Sequence, residues 1–130
     1  MRINTKQLVT LLEQSLLDGI RFVKESGLKD YVLVTVSVEK LNDSWSTDKD
    51  YYIGPGGTLN TIGNRYNRFK EFLQTHQPIE ASRVGFDWKG NVTFGNGRHR
   101  FSVLRDIGLD RIPIAVHNSD AKEFKRRFGV

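Results

Sequence analysis

The 130-residue chain has no cysteine. That removes disulfides, thiolate metal sites and cysteine nucleophiles together. No apolar run approaches the ~20 residues of a membrane-spanning helix. The first residues also lack the continuous apolar segment of a signal peptide. The expectation is a cytoplasmic protein with no membrane partner. Histidine is sparse, with His76, His99 and His117 scattered, and the acidic residues Glu39, Asp43, Asp48, Asp50, Glu80 and Asp106 show no ligand spacing. No metal site is therefore expected. Repeats, low-complexity tracts and linkers are missing as well.

What is present describes one folded domain, 1–130. A hydrophobic fraction of 38% against 27% charged residues suits a packed core and argues against disorder. The formal charge of +5 favours polyanionic partners, nucleotide or nucleic acid. Asn4 and Gln7 form a loose capping box, and Leu8, Leu11, Leu12, Leu16, Ile20 and Val23 recur at helical spacing before Gly27. This predicts an N-terminal helical extension over 1–28, packed on the domain itself or on a protein partner or second copy. Tyr31 to Val38 alternates like a strand. Glu39 to about Asn60 reads as irregular and, holding Trp45, Tyr51 and Tyr52, as a lid or site wall.

A helix is predicted from about Thr61 to Gln74, with Ile62, Tyr66, Phe69 and Leu73 on one face and Arg65 and Arg68 elsewhere. Ala81–Trp88 and Asn91–Phe94 predict a hairpin around Lys89-Gly90-Asn91. A helix from Arg98 to Ile107 and a strand from Ile112 to Val116 follow, with Pro113 at a sheet edge or strand start. Strand, short helix and strand suggest a right-handed crossover in a mixed sheet. Ser119 caps a last helix over 118–130.

The densest chemical signal is Phe94-Gly95-Asn96-Gly97-Arg98-His99-Arg100-Phe101, where a strand ends and a helix begins. A helix start carries partial positive charge and orphan N–H groups, so it suits an anion. Cations at that end oppose the macrodipole by ~0.3–1 kcal/mol each, which points to an anion there. Guanidinium forks at 98 and 100 suit bidentate phosphate contacts.

Segment 94–116 resembles the second signature box of the ParB/sulfiredoxin-like superfamily, through Gly97, Arg98, His99, Arg100, Leu104, Gly108, Leu109, Ile112 and Pro113. Val32–Leu41 and Gln77-Pro78-Ile79 extend the likeness more weakly, so that it covers about 31–117. The resemblance implies an α/β (α+β) core with a small mixed β-sheet and flanking helices, here with extra N-terminal and C-terminal helices. It implies nucleotide phosphates at Gly97–Arg100, with an NTP or NDP and Mg²⁺ as ligand. The family's members include partition proteins that bind CTP, sulfiredoxin, ADP-dependent serine kinases and proposed nucleases. Arg98 stands where sulfiredoxin has its cysteine, which excludes sulfinic acid reduction. The helix-turn-helix and dimerisation domains of partition proteins are not among these 130 residues, so a complete centromere-binding protein is not expected.

The expected phosphate or nucleotide site therefore comprises Gly95, Asn96, Gly97, Arg98, His99 and Arg100, with Gly54, Gly56, Gly57, Thr58 and Arg65 as a second wall. His99 is either a general acid–base or a phosphate hydrogen-bond donor. Gly54–Thr58 is either a backbone nest or an ordinary turn, and Arg65 either a second clamp or a surface ion pair. Trp45, Tyr51 and Tyr52 either stack a base or anchor the loop. Asp106 pairs with Arg111 or another surface cation. Lys122–Arg127 either completes a helix dipole or contacts nucleic acid. The function expected is ligand binding, extending to phosphoryl transfer or phosphodiester hydrolysis. The rival is a DNA- or protein-binding adaptor of a mobile element.

Overall fold

The computed structural model describes residues 20–130. The stripe of Leu8, Leu11, Leu12 and Leu16, and the partner surface expected of it, lies outside the described residues. Chain order is β1 (Phe22–Val23), β2 (Tyr31–Ser37), α1 (Val38–Trp45), α2 (Arg65–Leu73), β3 (Ile79–Glu80), β4 (Arg83–Phe86), β5 (Val92–Asn96), α3 (Arg98–Asp106), β6 (Arg111–His117) and α4 (Ala121–Phe128). Single 3₁₀ turns sit at Pro55–Gly57 and Asn118–Asp120.

Four strands form a mixed sheet in the order β2-β6-β4-β5, and β1 pairs in parallel with β3 in a second, two-stranded sheet. Because side chains alternate along strands, Val34 and Val36 of β2, Ile112, Ile114 and Val116 of β6, and Val84 and Phe86 of β4 share one face. They join Leu41 and Trp45 of α1, Phe101 and Leu104 of α3, and Phe124 and Phe128 of α4 in a single core. Phe86 stacks on Phe124 at 4.3 Å between ring centroids.

The architecture is the α+β arrangement expected, with several local corrections. The helical stripe does not continue to Val23, since Phe22 and Val23 pair with Ile79 and Glu80. A spacing of three between Ile20 and Val23 fits a helix, but tertiary pairing overrides it. The segment after β2 is not irregular throughout. Ser37 accepts a hydrogen bond from the Lys40 amide as an N-cap, and Val38, Leu41 and Trp45 bury one face of α1. Val38 is thus the first helical residue, not the last of the strand.

α2 starts later than predicted, which leaves Ile62 outside it and 50% exposed. Ser119 caps nothing: its hydroxyl lies 2.7 Å from Nδ1 of His117, which itself accepts from the Ser119 amide. The strands α3 joins, β5 and β6, run antiparallel, so the crossover rule does not apply to them; the parallel neighbours are β4 and β6. Pro113 sits in an internal strand. The Ala115 amide donates to Ser82 on the β4 side, and Pro113, two residues back, faces that same side. Only Arg83 opposite Ala115 pairs there, so no ladder bond needs a donor at 113.

Truncating Phe124 to alanine should lower the unfolding free energy by about 3–5 kcal/mol, and Ser37→Ala by about 1 kcal/mol. Urea denaturation of both variants beside the parent chain measures the two losses.

Candidate functional site

The end of β5 and the start of α3 open onto a cleft of about 880 Å³. One wall is Thr93–Arg100, and the facing wall is Arg65, Arg68, Phe69 and Phe72 of α2. Pro78, Ile79 and Glu80 line it on a third side, with Tyr51 and Ile62 at the margin. Four arginines and one glutamate therefore share the space with a stacked Phe69–Phe72 pair.

The two glycines of the motif have separate tasks. Asn96 opposes Arg83 and Phe94 opposes Val84, so Gly95 is the extra residue of a β-bulge. A Cβ there would stand 2.9 Å from Nε of Arg83. Gly97 is the N-cap of α3 in left-handed conformation, φ 84°. A Cβ on it would meet Arg100 at 2.6 Å and Ser82 at 2.7 Å. The space beside Gly97 is therefore filled from within the protein, where the sequence suggested room for a ligand.

A glycine N-cap offers no side-chain acceptor, and the first bond of α3 runs from the Phe101 amide to the Gly97 carbonyl. The amides of Arg98, His99 and Arg100 have no backbone partner among the described residues.

The three side chains that follow diverge. Arg98 turns to the preceding segment, donating to the carbonyls of Asn60 (2.6 Å) and Tyr51 (3.3 Å), with its guanidinium 5.7 Å from the Tyr51 ring. His99 is buried, and its Nε2 accepts from the Ile62 amide at 3.0 Å. Burial, then the charges of Arg98 and Arg65, push its pKa down to about 4. The ring is thus neutral at pH 7, and the bond at Nε2 assigns the proton to Nδ1. With that lone pair engaged, His99 serves as an anchor and not as a general base through Nε2.

Arg100 reaches into the cleft wall. Its side chain is 22% exposed, Nε and Nη2 make no hydrogen bond among the described residues, and Nη2 stands 3.9 Å from Glu25. That carboxylate also accepts from Asn96 at 2.8 Å. Burial lowers the Arg100 pKa in spite of the negative charges of Glu80 and Glu25. Burial and Arg65 similarly lower that of Arg98. Arg98 and Arg100 are partly buried, while Arg65, Arg68 and Glu80 are exposed.

Arg65 stands close enough to act on Arg98 and His99 and lines the same cleft. Gly54–Thr58 does not. Its glycine amides are already spent: Gly54 donates to Thr58 (2.7 Å), Gly57 to Gly54 (3.2 Å), and Gly56 to Asp106 (3.0 Å). Arg105 donates to the carbonyls of Ile53 and Gly54, and the Tyr66 hydroxyl donates to Asp106 at 2.6 Å. Asp106 thus bonds Arg105, not Arg111, which stands 3.9 Å from Asp110. Burial opposes ionisation of Asp106, but Arg105, Tyr66 and the Gly56 amide hold its pKa below the usual carboxylate value.

Burial and then Asp106 push the Tyr66 hydroxyl up to about 12. Trp45 and Tyr52 are loop and core anchors, their rings 4.8 Å apart and edge-on, while Tyr51 alone of the three lines the cleft. Asp48 accepts from the amides of Asp50 and Tyr51. Among the described residues no group of three His, Asp or Glu side chains is placed to hold a metal ion. No described helix is long and apolar enough to cross a membrane.

Sequence reasoning missed Arg68, Phe69, Phe72, Pro78 and Glu80 as cleft residues. The signal available was Phe72, an aromatic three residues from Phe69 that the Tyr66, Phe69 and Leu73 face leaves out.

No family model matches the chain, and no curated protein sequence matches it. Among solved structures the chain is similar to the oncogenic suppression activity protein, a plasmid fertility inhibition factor solved as a gold(I) cyanide derivative. The TM-score is 0.60 at 13% identity, over 81% of this chain and 60% of that one. At that identity the likeness is one of fold alone. The matched region spans 60% of the neighbour's length, less than two thirds.

The depressed His99 pKa fixes a pH dependence. Between about 6.5 and about 4 the unfolded histidine binds a proton that the folded one does not. Stability present above about 6.5 should therefore fall as pH drops toward about 4. Melting temperatures across that interval should decline for the parent chain and decline less for His99→Gln.

Proposed function

We propose that the cleft binds a phosphorylated ligand of the nucleotide class, its phosphate resting against the first turn of α3. The observation that carries this reading is Arg100: a largely buried guanidinium whose Nε and Nη2 have no hydrogen-bond partner among the described residues and whose carboxylate neighbour, Glu25, stands 3.9 Å away, beside three amides without backbone partners. Buried cations are ordinarily paired, and an oxyanion supplies what both the guanidinium and the amides lack. Arg98 and Arg65 add charge, while Phe69 and Phe72 offer an apolar wall for a base. The resemblance of Gly97–Arg100 to the phosphate-contacting motif of ParB/sulfiredoxin-like proteins supports the same placement. The engaged Nε2 of His99 favours binding over acid–base catalysis.

The fold likeness to a plasmid fertility inhibition factor favours a second reading. In it the chain is a non-catalytic adaptor of a mobile element, and the same arginines contact a nucleic acid backbone or a protein.

Thermal shift with inorganic phosphate and a panel of NTPs and NDPs, with and without Mg²⁺, tests the first reading. Binding to the native state should raise the melting temperature. Arg100→Ala should weaken the affinity roughly 10- to 100-fold, as expected for a lost charge-assisted bond. Gel shifts that weaken steeply with salt, without any nucleotide response, would favour the adaptor. Silence in both assays overturns the placement of an anion at α3.

A further inference from the structure

The far end of the β4–β5 hairpin carries a feature that the cleft does not use. Trp88 is 90% exposed at its tip. The turn that displays it is rigid. Asp87 Oδ1 accepts from the amides of Lys89 and Asn91, both at 2.9 Å. The Asp87 amide donates to Asn91 and its carbonyl accepts from Gly90, which takes φ 81°. Arg127 then donates to the Gly90 carbonyl at 2.7 Å while stacking on Phe86 and Phe128. The amides of Asp87, Lys89, Gly90 and Asn91 are all bonded, yet the indole of Trp88 stands out in water. A large aromatic ring held in place and left in water is what a recognition surface presents.

Its surroundings indicate the occupant. Lys89 Nζ lies 5.0 Å from the indole ring. Arg127 ties to the tip the last turn of α4, which also carries Lys125 and Arg126. Against these stand Glu123, which Arg126 binds, and Asp87, whose Oδ1 the turn amides occupy. The tip sequence Asp87-Trp88-Lys89-Gly90-Asn91 offers one ring and no second apolar side chain. That is too little apolar area to enter a bilayer, and it lacks the cluster of buried anchors a stable protein interface uses. One ring flanked by cations matches one unstacked base flanked by phosphates. We infer that the hairpin tip and the end of α4 form a contact surface for single-stranded nucleic acid, with a base on Trp88 and the backbone along Lys89 and the α4 cations. This surface is separate from the cleft and does not depend on what the cleft binds.

The fluorescence of the full chain provides the test, because Trp45 is buried and Trp88 is not. Titration with oligothymidylate at low salt should quench Trp88 saturably, and added salt should weaken the binding. By anisotropy of a labelled oligothymidylate, Trp88→Ala should bind about five- to a hundredfold more weakly and Trp88→Phe nearly as well as the parent. Unchanged melting temperatures would show both variants folded. Arg100→Ala should leave the quenching intact, and its loss in that variant would assign the strand to the cleft and overturn the proposal. Equal binding by Trp88→Ala, or a blue shift with phosphatidylserine vesicles in place of quenching by the oligonucleotide, would also overturn it.

Discussion

The segment joining α1 to α2 keeps its shape because α3 supplies the hydrogen-bond partners that segment lacks. Arg98 takes the carbonyls of Tyr51 and Asn60, His99 takes the amide of Ile62, Arg105 takes the carbonyls of Ile53 and Gly54, and Asp106 takes the amide of Gly56. Unpaired backbone groups near a core are costly, at about 1–3 kcal/mol each when buried. A stretch without regular structure can therefore lie against the core only where another element accepts and donates on its behalf. Both ends of one nine-residue helix do this, which also settles how the cleft is framed.

The arrangement sorts the charges of the motif. Arg98 and His99 are committed to holding the loop, and Arg105 and Asp106 to its far end. Arg100 points the other way, toward Glu25 and Glu80, and two of its nitrogens have no hydrogen-bond partner among the described residues. A row of cations that looks uniform in sequence thus divides into side chains that hydrogen-bond the loop and one, Arg100, that does not.

Much of the fold was legible. The alternation of Tyr31–Ser37, the Gly90 turn, the Gly97 helix start and the Gly108 stop are local signals, and each appears where the pattern placed it. α1 was hidden because Val38 read as the end of the strand and the residues after it, with only Leu41 and Trp45 apolar, read as irregular; the Ser37 cap was the missed clue. The pairing of Phe22–Val23 with Ile79–Glu80 joins residues more than fifty positions apart, which no local pattern encodes. The site was half legible. Glycine and arginine spacing located the α3 end of the cleft, whereas the opposite wall depends on how α2 packs. The glycines at 54, 56 and 57 looked like a phosphate cradle because composition does not reveal that Asp106 and neighbouring carbonyls have already claimed the amides.

Both margins of the four-stranded sheet are closed by polar contacts from the chain itself. Val36, on the outer side of β2, bridges to Gly129 just past α4. At the opposite margin, the Val92 amide of β5 donates to the Ser44 hydroxyl of α1. Open sheet borders are templates for strand addition by other molecules. At these two positions an incoming strand would find the donor or acceptor already taken. Strand addition at either flank would therefore have to displace a contact the chain already makes, at Val36 on one side and at Val92 on the other.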